Sequence, residues 1–433
     1  MKKIIKLVIS LGVIALLGFG VWKIYFHLNM EPTRGEVKNL EQTLARSEVL
    51  TKEQAKKDLT YVYKHIKEYH PVWIKGPNDV KKQVHEQYKL EVANLREGMT
   101  VTQVWQAASR IVASLRDLHT NINVVDSHPT YIDDFAQVIE YGKPIEINGV
   151  SYEHLENTYL IQSSYERPEY AKHMLLNKIV SKDDLELLGI DTSNGVTFTF
   201  DVDGESKDFH YEFVSREKVV NSETSFVDSD HFVSYEIDTE NKIGIFRLRQ
   251  CANNEEYRDT LKKFFEEVSS NQIESIIVDL NNNGGGDSSV ANEFITYLNV
   301  DEYDSWDCDV RMGWHLKKYH NNVYKNQKKE HVFTGKLYVL TNVQSLSAAM
   351  DFAMLIQDNH LGTIVGEASG NMPDSYGDCL QFQLPNSKLS LRVSYKVWYR
   401  IDQSKAGEPI EPDYEVDPKE ALEYTYDLIR QGK

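Results

Sequence analysis

Two serines stand where chemistry could be done. Residues 335–359 read GKLYVLTNVQSLSAAMDFAMLIQDN. Leu337, Tyr338, Val339 and Leu340 have the continuous apolar pattern of a buried strand, which ends in a polar turn from Thr341 to Ser345. Helical spacing begins near Ser347, with Ala348, Ala349, Phe352, Ala353, Leu355 and Ile356 on a broad apolar face. A hydroxyl in the first turn of a helix leaving a sheet lies among unpaired backbone N–H groups at the positive end of the dipole. Those groups suit the oxyanion of an acyl transfer. Alternatively, Ser345 or Ser347 is an N-cap with no further role.

A second strand-turn-helix occurs at residues 275–298, SIIVDLNNNGGGDSSVANEFITYL. Ile276, Ile277, Val278 and Leu280 read as a strand, and Asp287 or Ser288 can cap the helix that follows. Gly284, Gly285 and Gly286 permit conformations and close approaches closed to other residues. No Gly-Lys-Ser/Thr follows, and the spacing is not Gly-x-Gly-x-x-Gly, so phosphate cradling is the weaker use of this loop.

The segment VDLNNNGGG resembles the Gly loop of the C-terminal processing (tail-specific) serine peptidases, and TNVQSLSAAMDFA resembles their nucleophile turn. The resemblance covers most of residues 51–415. It implies that Ser347 is the nucleophile and that the core is a ClpP/crotonase-like α/β sandwich. It also implies that backbone N–H groups of Gly285 or Gly286 and of Ala348 hold the oxyanion, with no cofactor needed. Two departures matter. Members with a Ser–Lys dyad keep a lysine where this chain has Met372, and Asn281 replaces the arginine of the Gly loop. The chain is closer to the branch of tricorn core protease and the interphotoreceptor retinoid-binding protein repeats, where a histidine far upstream is the base. The segment SLRDLHTNINV places His119 at that position.

The residues around His119 fit that role. Val104, Trp105, Ala108, Ile111, Val112 and Leu115 trace a helix face, after which the period switches to two. His119, Asn121 and Asn123 then form a polar stripe opposite Thr120, Ile122 and Val124. A histidine is a natural base at neutral pH, although a structural histidine fits the pattern as well. The branch resemblance implies a glutamate near a C-terminal Pro-Asp as third member. AGEPIEPDYEV offers Glu408, with Glu411 close behind, and Asp117 is a local alternative.

A chain of 433 residues suits two or three domains. We expect a signal anchor over 1–26, because Lys2, Lys3 and Lys6 precede an apolar run from Leu7 to Trp22. A single-pass cell-membrane protein with an extracytoplasmic catalytic part follows, or a secreted one if the segment is cleaved. A helical domain with a charged helical stalk is expected over 27–125. A β-rich, possibly PDZ-like insert is expected over 126–230, and the protease core over 231–425. The net charge is −18, and the first 26 residues contain no acidic group, so the exterior part is strongly acidic. Such a surface excludes nucleic acid as a partner. Three cysteines allow one disulfide at most, and no metal-ligand spacing occurs. The expected function is a serine endopeptidase acting on protein or peptide substrates. The alternative is an inactive peptide- or lipid-binding protein on the same scaffold.

Overall fold

The computed structural model describes residues 12–24, 35–221, 232–320 and 322–433. Residues 12–24 are helical. Among the described residues no helix is long and apolar enough to cross a membrane. The remainder of the expected anchor lies outside the described residues. The stalk helix does not form over 35–48, where the chain runs as an irregular strap. Its backbone is committed elsewhere: Val37 N–H donates to Gln381 O at 2.8 Å and Thr43 N–H to Val125 O at 2.9 Å.

The first helical layer comprises α1 (Lys52–Tyr69), α2 (Asn78–Ala93) and α3 (Val101–Ala113). Thr51 and Gln54 close a capping box at the start of α1, and Thr100 and Gln103 do the same for α3. Strand β1 (Asn121–Asn123) follows α3.

The insert contains the hairpin β2 (Glu146–Ile147) and β3 (Val150–Ser151). Its turn is Asn148-Gly149, with φ of 48° and 74°, the positive values that the tightest hairpin turns demand. Helices α4 (Tyr152–Gln162) and α5 (Pro168–Lys178) follow, then β4 (Val196–Val202) and β5 (Glu205–Tyr211). These strands form one four-stranded sheet in the order β3-β2-β4-β5. The insert has its own core, with Phe198, Phe200, Leu155 and Leu175 fully buried.

The main sheet is built from β6 (Val233–Asp238), β7 (Ile243–Leu248), β8 (Ser275–Asp279), β11 (Lys336–Thr341), β12 (Thr363–Gly366) and β15 (Tyr414–Glu415). Neighbours run in that order, parallel from β7 onward, with β6 antiparallel at the edge. Helices α6 (Glu255–Ser270), α7 (Ser289–Ile295) and α8 (Ala348–Asp358) pack on one face around Phe246, Phe264, Phe294 and Phe352. Helix α9 (Ala421–Arg430) covers the other face through Leu428. The central strands β8 and β11 are largely apolar and buried because both faces are covered.

A second, antiparallel sheet contains β9 (Asp307–Met312), β10 (His315–Tyr319), β13 (Ser375–Gln383) and β14 (Ser390–Tyr399). Strand β1 joins this sheet through β14, with Asn121 opposite Arg392. The apolar faces of α1 and α3 bury Phe382, Leu391 and Val393 of the same sheet. The helical layer thus shares a core with the C-terminal half, which carries the His119 loop to that half.

Candidate active site

Six residues, four of them polar, separate β11 from helix α8, and the asparagines of the Gly loop pin them. Asn342 Oδ1 accepts from Asn282 N–H at 3.0 Å, and Leu346 N–H donates to Asn283 O at 2.9 Å. Ser345 is fully buried, its hydroxyl donating to Leu280 O at 2.8 Å and accepting from Asn342 N–H at 3.0 Å. Ser345 is therefore a structural serine.

Ser347 differs on each count. It precedes α8 with φ 50° and ψ −120°, and its side chain makes no capping hydrogen bond. A positive φ is costly for a residue with a side chain. The turn is held by the Ser347 N–H, which donates to Asn371 Oδ1 at 2.8 Å, and Asn371 is fully buried. The simple N-cap reading is corrected here: the hydroxyl is partly exposed and caps nothing.

The Gly loop lies directly against this turn. A Cβ on Gly285, which has φ 92°, would stand 2.8 Å from Ser347 Cβ and 3.0 Å from Ala348 N. No residue but glycine permits that approach. The Gly285 N–H is already donated to Asn283 Oδ1 at 2.9 Å. This removes Gly285 from the expected oxyanion donors. The N–H groups of Gly286 and Ala348 have no acceptor among the described residues.

His119 and Ser347 line the same cleft, of about 720 Å³, together with Gly285 and Gly286. Among the described residues no hydrogen bond joins Ser347 to His119. His119 Nδ1 is buried without a hydrogen-bond partner, 3.9 Å from Asp117 Oδ1. Burial lowers the imidazole pKa below its usual value; Asp117 opposes that shift and Arg392 reinforces it. The ring is therefore neutral at pH 7.

Asp117 is fully buried and thoroughly held. It accepts from the His119 N–H at 2.9 Å, from His70 Nε2 at 3.1 Å, and from the Thr120 hydroxyl. Burial works against its ionisation, but His70, His119 and Thr120 outweigh it and hold the carboxyl well below the usual carboxylate range.

Glu408 is elsewhere. It is exposed, and its carbonyl accepts from Arg400 Nη1 at 3.1 Å. Arg400 is locked to Asp358, both almost wholly buried, at the C-terminal end of α8. Ser347 precedes the other end of this 11-residue helix, about 16 Å away at 1.5 Å per residue. Glu411 is tied to the same end, its carbonyl accepting from Gln357 Nε2 at 2.7 Å.

The carboxylate that sequence reasoning missed is Glu166, in the loop between α4 and α5 of the insert. It accepts from Met372 N–H at 2.8 Å and from Leu118 N–H at 3.4 Å. It thereby ties the His119 loop to the turn that carries Asn371. Burial and the charge of Asp117 push its pKa up to about 8. No motif marks Glu166, because the contact is made by an insert folding back on the core. Met372, where a dyad lysine would stand, contributes this main-chain bond. Asp117, His119 and Glu166 each present one ligand atom within 4.8 Å of the others. A divalent cation there would compete with hydrogen bonds that Asp117 and Glu166 already make.

Other side chains give the cleft its character. Asp351, one turn into α8, accepts from Ser288 Oγ at 2.7 Å, and burial pushes its pKa up to about 7. Lys396 pairs with Asp378 at 3.1 Å, and Trp306 meets Trp398 edge-to-face. The cysteines are all free, and Cys379 donates to His119 O.

Residues 242–416 match the model of peptidase family S41. No curated protein matches the sequence. The fold is similar to that of mature CPAF in complex with lactacystin, with a TM-score of 0.63 at 13% identity, covering 87% of this chain and 97% of that one. It is also similar to a peptidase of Parabacteroides merdae, with a TM-score of 0.50 at 14% identity, covering 88% and 96%. The photosystem II D1 C-terminal processing protease scores 0.48 at 13% identity, covering 84% and 94%. At these identities the likeness is one of fold.

Proposed function

We propose, for a chain whose residues 242–416 are a peptidase family S41 domain and which is a serine peptidase, that Ser347 and His119 carry the reaction. The observation that supports this most is the backbone of Ser347. A residue with a side chain sits at φ 50°, its hydroxyl uncommitted, in the cleft that His119 lines. Strained, exposed serines at strand-to-helix turns are a recurrent way to present a nucleophile.

In this reading His119, neutral at pH 7, takes the proton of the Ser347 hydroxyl as Oγ attacks a peptide carbonyl. The carbonyl becomes an oxyanion facing the N–H groups of Gly286 and Ala348 at the positive end of α8. The imidazolium then gives its proton to the leaving amine. Water, deprotonated by His119, releases the acyl group from Ser347. Asp117 steadies the imidazolium, needing only a small movement to bring Oδ1 from 3.9 Å into bonding distance of Nδ1. Such contacts often tighten only once substrate is bound.

The substrate class is protein or peptide. The N-terminal segment, with its leading lysines and apolar run, supports a membrane anchor and an extracytoplasmic catalytic part. The test is fluorophosphonate labelling of the full chain. The parent labels at one serine, and Ser347→Ala does not. Absence of labelling in the parent would favour a binding protein on the same scaffold.

A further inference from the structure

A second pocket of about 550 Å³ lies between α1, α2 and the hairpin of β9 and β10, and shares no lining residue with the cleft. Arg311, only 7% exposed, lines it. The guanidinium donates to two main-chain carbonyls, His70 O and Gly313 O. Among the described residues it makes no ion pair. A buried cation with no carboxylate in direct contact is expensive to keep. Its pKa reflects this, driven down to about 10 by burial, which outweighs the attraction of Glu68 across the pocket.

The surroundings add positive charge. Lys64 and Lys67 line the pocket from one exposed face of α1, and neither is ion-paired among the described residues. The lining carboxylate is Glu68. The pocket thus carries net positive charge in a chain of net charge −18. Its walls are aromatic: Tyr63 and Tyr88 stack at 4.3 Å, and Trp314 stands at the hairpin tip.

We propose that this pocket is a binding site for an anionic group, a carboxylate or a phosphate, carried on a flat apolar body. Arg311 and the two lysines meet the anionic oxygens through charge-assisted hydrogen bonds. The tyrosine pair and Trp314 cover the body, which excess volume over an inorganic ion leaves room for. From Arg311 a run of hydrogen bonds leads through His70 and Asp117 to the His119 loop.

The experiment is calorimetric titration of the full-length Ser347→Ala chain with sodium benzoate, phenyl phosphate and benzyl alcohol. Binding is then read without turnover and independently of the peptidase reading. Both anions are expected to bind, more weakly as salt rises, and the neutral alcohol not at all at the same concentrations. Their ranking tells whether the natural group is an organic acid or a phosphate ester. Arg311→Met is expected to weaken binding by about tenfold or more, the worth of a charge-assisted contact. Because Arg311 also supports two carbonyls, the exposed pair Lys64→Ala/Lys67→Ala is the second variant. It should fold normally, bind several-fold more weakly and depend less on salt. Equal binding of benzyl alcohol, no binding of either anion, or unchanged affinity in both variants would overturn the proposal.

Discussion

Exchanging each of two neighbouring serines for alanine should give opposite outcomes. Ser345 is fully buried, with its hydroxyl in two hydrogen bonds, to Leu280 O and from Asn342 N–H. Ser345→Ala leaves the Asn342 amide without a partner, while Leu280 O keeps the Asn283 N–H at 3.2 Å, so a loss of about 1–3 kcal/mol is expected. For a domain of this size that lowers Tm by roughly 2–12 °C. The nucleophile is untouched, so the folded fraction should still label with fluorophosphonate. Ser347 makes no capping bond. Ser347→Ala should therefore change Tm by little more than about 1 °C, since an uncommitted, partly exposed hydroxyl is worth a few tenths of a kcal/mol, and it should abolish labelling. Ser347→Gly should melt slightly higher than Ser347→Ala, because glycine accepts φ 50° and relieves about 1–2 kcal/mol of strain, less its greater chain entropy when unfolded. The measurements are thermal melts by circular dichroism and gel labelling on the same preparations. The reasoning is refuted if Ser347→Ala still labels, or if Ser345→Ala is as stable as the parent yet unreactive.

The acid limb of the activity profile should fall below the usual histidine value of 6.5, because burial lowers the pKa of His119. Arg392→Met should move it upward by removing a neighbouring cation, and a profile flat from about pH 5 to 9 would contradict a histidine base. Glu166 has a folded pKa raised from 4.5 to about 8, so its contribution to stability is fully present below the unfolded value and is lost as pH rises through the folded one. Glu166→Gln should flatten the decline in Tm across that window, leaving the share due to Asp351, whose pKa is raised to about 7; an unchanged slope would mean that Glu166 is not the group titrating. Glu408→Ala should leave the hydrolysis rate within about twofold, whereas Asp117→Asn should lower it by orders of magnitude, as loss of a triad partner does. Equal effects of the two would return Glu408 to the site. Met372→Lys should not restore activity to His119→Ala, since a grafted lysine lacks the supporting contacts that hold a base within about 3 Å of its target.

The local devices were legible in the sequence because short-range physics writes them. Continuous apolar runs marked β8 and β11, covered on both faces, and the period of 3.6 marked α8 and α3. Thr51 and Gln54 announced a helix start, and Asn148-Gly149 a hairpin. The turn chemistry around Ser347 and the glycines beside it could be picked out for the same reason: a nucleophile turn and a close backbone approach each need particular residues within a few positions. What the local pattern, without the family resemblance, could not rank was one serine against its neighbour. That depended on which hydroxyl the fold buries, and Leu280, 65 residues upstream of Ser345, supplies the acceptor that commits it.

Tertiary structure alone decided the partners that come from afar. Glu408 stood near a suggestive Pro-Asp, yet the Arg400–Asp358 pair fixes its loop at the wrong end of α8. Glu166 stood in no motif, yet the packing of the insert delivers it between Leu118 and Met372. The strap over 35–48 was read as a helix from its charges, but its N–H groups found acceptors on distant residues, Gln381 and Val125. Arg311 was unremarkable in sequence, and only the approach of α1 to the β9–β10 hairpin buries it beside two lysines. The sequence by itself determined which segments could become strand, helix or reactive turn, because those preferences are settled within one or two turns of chain. Which distant groups meet around the cleft was settled by long-range packing of separate cores, as when Met372 meets Glu166 across 206 residues.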